Sequence, residues 1–176
     1  MTILQRLTAD PIRTAPLAIA AIGAAAIGGA LIFEHVFGLQ PCPLCLEQRI
    51  AYYVSIPLAV LLLIGISAGA ARKVLLAGFV VIAAGMLWNA GLGVYHSGVE
   101  WGWWPGPQDC SGPVNSLGSA GNLLKKIESI RIVRCDEVQW RFLGLSLAGY
   151  NVLISLALAA LALWAALGLW RERARG

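Results

Sequence analysis

Four long apolar runs alternate with polar connectors along the chain. They run from Ala15 to Phe37, from about Arg49 to Ala68, from Val74 to about Tyr95, and from Phe142 to Trp170. About 20 apolar residues in a helix cross a bilayer core of ~30 Å, so each run predicts a membrane-spanning helix. The first run competes with a signal peptide, since Ala24-Ala25-Ala26 resembles a cleavage region. It is longer than a signal core and three more spans follow, which favours a retained helix. Glu34 and His35 near its far end read as interfacial residues. Pro57 lies inside the second run and predicts a kink that neighbouring helices tolerate. Gly78, Gly85, Gly91 and Gly93 in the third run offer close helix approach.

The connectors differ in kind. Residues 38–48 form a short loop stiffened by Pro41 and Pro43. Gly69 to Lys73 is a tight turn. Residues 96–141 form a long polar segment that opens with Trp101, Trp103 and Trp104. Clustered tryptophans beside an apolar run predict an interface belt, with a binding surface as the alternative. Within the segment, Leu123, Leu124, Ile127 and Ile130 recur at helical spacing, so Asn122 to Arg134 reads as a short amphipathic helix on the membrane surface. The expected fold is an all-α membrane protein: a four-transmembrane-helix bundle, residues 1–176 as one integral membrane domain, with two loops on one side and the amphipathic interfacial helix in the second.

Composition agrees. Of 176 residues, 59% are hydrophobic and 12% charged, far from the balance of a soluble domain. The net charge of +4 is scattered around the apolar runs, so no nucleic-acid partner is expected. Its placement sets an orientation. Arg6, Arg13, Arg72, Lys73, Arg171, Arg173 and Arg175 flank the termini and the tight turn, against Asp10 and Glu172 alone. In the long segment Lys125, Lys126, Arg131, Arg134 and Arg141 are balanced by acids. Basic residues favour the cytoplasmic side, which puts both termini there and the two loops opposite. In a bacterium the opposite face is the periplasm, where disulfides persist.

That face carries the four cysteines, Cys42, Cys45, Cys110 and Cys135. An even number allows full pairing in three ways. Cys42-Pro43-Leu44-Cys45 is a Cys-x-x-Cys pair at the edge of the second span. Cys45 falls at or just before a helix start, where unpaired N–H groups and the helix dipole favour a thiolate. Arg49 lies one turn further on the same face. A redox pair, half of a zinc site and a structural disulfide are the available readings. Zinc wants convergent thiolates, and Cys110 and Cys135 are not spaced as a second knuckle, so no metal is expected. A pair closing so short a loop gains little chain entropy as a staple.

Three ordered stretches carry a resemblance. Gln40-Pro41-Cys42-Pro43-Leu44-Cys45-Leu46-Glu47-Gln48-Arg49 resembles the first periplasmic loop of the DsbB family. Tyr95-His96-Ser97-Gly98-Val99-Glu100-Trp101 is similar to the end of that family's third helix, and Cys135 to Ser146 to its entry into the fourth. The resemblance implies a bacterial inner-membrane protein-dithiol:quinone oxidoreductase, part of a route that keeps the periplasm oxidising. It implies a DsbA-like thioredoxin-fold partner in the periplasm and ubiquinone or menaquinone as cofactor. The partner's thiolate attacks a Cys110–Cys135 disulfide at Cys110, and electrons pass to Cys42–Cys45 through Cys42. Cys45 faces the quinone, with Arg49 stabilising its thiolate and the charge developing on the quinone. His96 stands near the quinone ring, an interfacial histidine being its plainer reading, and Glu47 reads as a solvated loop charge. Two rivals remain: a four-helix scaffold whose loops are only stapled, and a relay that runs electrons outward.

Overall fold

The structure, a computed structural model, describes residues 10–107 and 135–173. Cys110 and the expected amphipathic helix at Asn122–Arg134 lie outside the described residues. Four helices are long and apolar enough to cross a membrane: α1 Pro11–His35, α2 Pro43–Ser67, α3 Arg72–Glu100 and α4 Leu147–Arg173. The multi-pass all-α bundle expected from the apolar runs is present. Each helix packs on two others, in the order α1, α2, α3, α4 and back to α1.

The helix bounds differ from those expected where capping outweighs apolarity. α1 starts at Pro11 because the Asp10 side chain accepts from the Arg13 backbone N–H at 3.2 Å, and a proline in the first turn needs no donor. α2 starts at Pro43 rather than near Arg49 for the same reason, with Cys42 as its cap. The first loop therefore shrinks to residues 36–42. α3 runs to Glu100 rather than ending near Tyr95, so His96 and Glu100 share a helix face one turn apart. α4 starts at Leu147 because the chain first makes a small hairpin, β1 Arg141–Phe142 with β2 Leu145–Ser146. Its two-residue turn, Leu143-Gly144, has φ of +49° and +82°, the left-handed geometry a tight hairpin demands.

Phe79, Ile82 and Met86 of α3 meet Ile19 of α1 and Leu158 of α4 in a fully buried core. Ala159, Ala162 and Ala165 let α4 come close, since lipid supplies no drive for helix pairing beyond packing and polar contacts. Of the four glycines singled out in the third run, two act as expected. A Cβ at Gly78 would lie 2.6 Å from Leu62, and one at Gly93 would lie 2.7 Å from Val152; Gly85 and Gly91 meet nothing within 4 Å. Leu61, Val74, Trp88 and Trp170 are exposed on the outside of the bundle, where lipid would cover them. Pro57 is accommodated within an unbroken α2, and Pro16 within α1.

Candidate functional site

The cysteine end of the bundle is built on the start of α2. Cys42 has extended backbone geometry, and its sulfur accepts the Cys45 backbone N–H at 3.3 Å. A sulfur thus occupies the place of an ordinary capping oxygen. The cap folds the Cys-x-x-Cys into one helical turn and brings the two Sγ atoms to 2.7 Å, both as thiols. Cys45, expected at the helix start, stands in the first turn.

The two sulfurs face different surroundings. Cys42 is buried in a small cluster with Leu44, Val99 and Cys135, flanked by Tyr95 and Trp104. Its thiol is pushed well above the ordinary value, first by the hydrogen bond with Cys45 and then by burial; the Cys45 backbone N–H pulls the other way. Cys45 is half-buried and lines a cavity of about 440 Å³ between α1, α2 and α4. That is the size of a small-molecule site. The wall is mostly apolar, with Ala26, Phe33, Trp140 and Ile154 among its residues, and its polar groups gather at the cysteine end.

Arg49 lines the cavity one turn below Cys45. Its Nη1 donates to Glu34 Oε2 of α1 at 2.6 Å, with both side chains mostly shielded. Glu34, expected to be merely interfacial, is therefore the counter-ion of the cavity's cation. His35 points away and uses its ring nitrogen on Leu31 O. Glu47 is exposed, in keeping with a solvated charge. His96 is buried, with Nε2 3.6 Å from the Cys42 sulfur and 3.9 Å from Glu100 Oε1, and its ring also reaches the cavity wall.

The segment before α4 covers the cavity mouth. The Trp140 ring lies 5.1 Å from Phe33 and 5.9 Å from Phe142. Gln139 Nε2 donates to the Gln40 carbonyl at 2.8 Å, tying this segment to the first loop. Of the tryptophans after α3, Trp101 and Trp103 are exposed as an interface belt requires. Trp104 instead stacks on Tyr95 and donates Nε1–H to its carbonyl at 2.7 Å, walling in the Cys42 cluster.

The structure thus brings together Cys42, Cys45, Cys135, Arg49 and His96, all singled out in the sequence; Cys110 lies outside the described residues. Sequence reasoning missed Gln48, Asn151, Tyr52 and Glu34. The available signal was that each is a polar residue set in or beside an apolar run, which the bilayer makes costly unless it is paired.

A close pair of thiols stands at a largely apolar cavity, and the chain resembles proteins whose names concern disulfides. The model of the family described as Disulfide bond formation protein DsbB matches residues 12–165. A protein named Disulfide bond formation protein B from Xanthomonas oryzae pv. oryzae (strain MAFF 311018) is 34% identical over 150 residues, 77% of each chain. One of the same name from Albidiferax ferrireducens is 31% identical over 160 residues, 82% of this chain and 87% of that one. Another, from Psychrobacter sp. (strain PRwf-1), is 30% identical over 151 residues, covering 81% and 84%. No solved structure matches the chain.

Proposed function

The chain belongs to the DsbB family of disulfide bond formation proteins, and from that premise we propose that it re-oxidises a DsbA-like periplasmic dithiol and delivers the electrons to a membrane quinone. The observation that carries the reading is the division of the Cys-x-x-Cys: Cys45 lines the apolar cavity while Cys42 is buried against Cys135. One sulfur serves a lipid-soluble oxidant and the other serves a second cysteine pair.

The cavity suits a quinone. Its walls are largely apolar, Arg49 supplies a cation, and the His96 ring forms part of the wall beside it. Bound there, a quinone supplies the acceptor of two electrons and two protons that turns the Cys42–Cys45 dithiol into a disulfide.

The protein's own residues carry the exchange. A partner thiolate attacks Cys110 of a Cys110–Cys135 disulfide and expels Cys135. The Cys135 thiolate attacks Cys42 of the Cys42–Cys45 disulfide and expels Cys45 as a thiolate beside Arg49. The partner's second thiol resolves its bond to Cys110 and leaves as a disulfide. Cys110 then attacks Cys135, restoring the second pair and expelling Cys42. Each step forms one S–S bond and breaks one, and the direction follows the reduction potentials. Arg49 offers a cation one turn from Cys45, and Glu34 holds it there before any negative charge develops. By this reading the cysteine end faces the periplasm of a bacterial inner membrane, with both termini in the cytoplasm.

The test is quinone reduction by the purified protein, given a reduced thioredoxin-fold oxidase, with Cys45→Ser alongside. Turnover that disappears in the variant is expected. Turnover that persists in Cys45→Ser overturns the assignment, and no turnover with either quinone class would favour the stapled scaffold or the outward relay.

A further inference from the structure

Beneath the cysteines a line of polar side chains runs into the bundle. Asn151 Nδ2 donates to Gln48 Oε1 at 2.6 Å, and Gln48 Nε2 donates to His96 Nδ1 at 2.9 Å. Asn151 Oδ1 accepts from Tyr52 O–H at 2.7 Å and from Asn89 Nδ2 at 3.2 Å. Asn89 Nδ2 also donates to Ser155 Oγ at 2.9 Å. Gln48, Tyr52, Asn89 and Ser155 are buried.

The donors run one way. The Asn151 oxygen is taken by Tyr52 and Asn89, so its NH₂ faces Gln48. Gln48 must then meet it with oxygen and turn its own NH₂ to His96. An amide nitrogen only donates, so His96 Nδ1 must accept and carries no proton. A ring with a bare Nδ1 is a neutral imidazole protonated on Nε2. The other side of the ring has places for that proton: Nε2 lies 3.6 Å from the Cys42 sulfur and 3.9 Å from Glu100 Oε1, and the Cys135 backbone also bonds the ring. The arrangement leaves Asn89 Oδ1 buried without a partner; reversing every amide would turn that oxygen to Ser155 but leave the Tyr52 hydroxyl proton with only Ser155 Oγ, at 3.4 Å. Amide direction is decided by such networks, and this one favours the arrangement described.

We propose that Gln48 and Asn151 are positioning residues that hold His96 as a neutral imidazole with its proton on Nε2, aimed as a hydrogen-bond donor at the Cys42 sulfur. The tautomer stands on the geometry alone; its use in catalysis rests on the oxidase reading above. When Cys110 attacks Cys135 of a Cys42–Cys135 bond, Cys42 leaves with the electron pair as a thiolate. A donor aimed at that sulfur stabilises the departing charge, where burial and Cys45 otherwise favour the protonated thiol. The same assignment bears on metal binding. Cys42, Cys45 and His96 place three ligand atoms within 4.8 Å of one another. A metal-bound histidine normally donates from its other nitrogen, whereas here the other nitrogen accepts and Nε2 has no lone pair to offer.

The test is ¹⁵N NMR of full-length protein in nanodiscs with labelled histidine, in a His35→Gln background that leaves His96 alone. A bare Nδ1 and a protonated Nε2 are expected at neutral pH. A proton on Nδ1 in the otherwise native network overturns the proposal. Gln48→Glu, whose carboxylate only accepts, should draw a proton onto Nδ1, and Gln48→Leu should give a mixture of tautomers. If the Gln48 variants do not fold, Asn151→Leu provides the same readout one bond further away. Unchanged tautomers in the folded variants overturn it as well. The rate of Cys42–Cys135 exchange, measured on the same samples by quenching and mass spectrometry, should fall about 10-fold or more in Gln48→Leu, the usual scale for a hydrogen bond to a charged group. A tautomer that moves while the exchange rate does not would overturn the positioning role. The expected tautomer in a protein with no quinone turnover would count against the oxidase reading and leave the assignment of the histidine intact.

Discussion

At the scale of single residues, the two cysteines differ by neighbours rather than by kind. Cys42 is hydrogen-bonded to Cys45 and buried beside Cys135, and both raise its pKa. A raised pKa means less thiolate than an ordinary cysteine shows at any pH below that value, and alkylation follows thiolate. In the reduced protein, iodoacetamide should therefore modify Cys42 slowly at about pH 8, and faster as pH climbs past the ordinary thiol value. Cys45→Ala removes the largest cause, and the Cys42 rate at that pH should rise by about 10-fold or more, in step with the larger thiolate fraction. Mass spectrometry of the alkylated peptide checks this; an unchanged rate would mean burial alone controls Cys42. Sequence spacing was enough to find both cysteines and Arg49, and the family resemblance picked out His96. It did not show that Arg49 is matched to Glu34, because that pairing joins two helices across a loop and leaves no periodic trace.

At the scale of elements, polar caps rather than apolar ends set the helix bounds. The long span of α3 carries His96 to Glu100 as helix, and Trp104 folds back on it. Gly98 makes that return possible, because a Cβ there would overlap the Trp104 ring. Gly98→Ala should push Trp104 off Tyr95, lose its bond to the Tyr95 carbonyl and destabilise the protein by about 1–3 kcal/mol, as overpacking generally does. Thermal unfolding in detergent, followed by tryptophan emission, measures it; a variant with wild-type midpoint and emission would show that Trp104 has room to move. The four spans were legible because a bilayer demands long uninterrupted apolarity. Their ends were less so: a proline reads as a breaker, yet Pro11 and Pro43 begin helices because an N–H in the first turn has no intrahelical acceptor to lose. The hairpin at 141–146 left no pattern long enough to read.

For the molecule as a whole, the basic flanks and the cysteine end imply one orientation. In a variant stripped of its native cysteines, a single cysteine at the exposed Trp103 should react with a membrane-impermeant maleimide given access to the periplasm. One at Ala68, in the turn before α3, should react only after the membrane is opened. The reverse pattern would invert the topology and remove the oxidising side from the cysteines. The bundle was readable from the chain because its spans follow from the solvent they sit in. The polar line from His96 to Ser155 was not, since its members are spread over three helices and each looks isolated in its own run.

That line also has a timetable. Tyr52 and Asn151 are 99 positions apart. At ~5–20 residues per second of synthesis, roughly 5–20 s pass between the emergence of the two. Helices this apolar enter the bilayer one at a time and associate afterwards. For that interval Gln48 and Tyr52 are already in the membrane while the residue that joins them has yet to be made. The last helix to arrive therefore closes the network, and a chain that stops before Asn151 leaves Tyr52 and Gln48 without the partner that joins them.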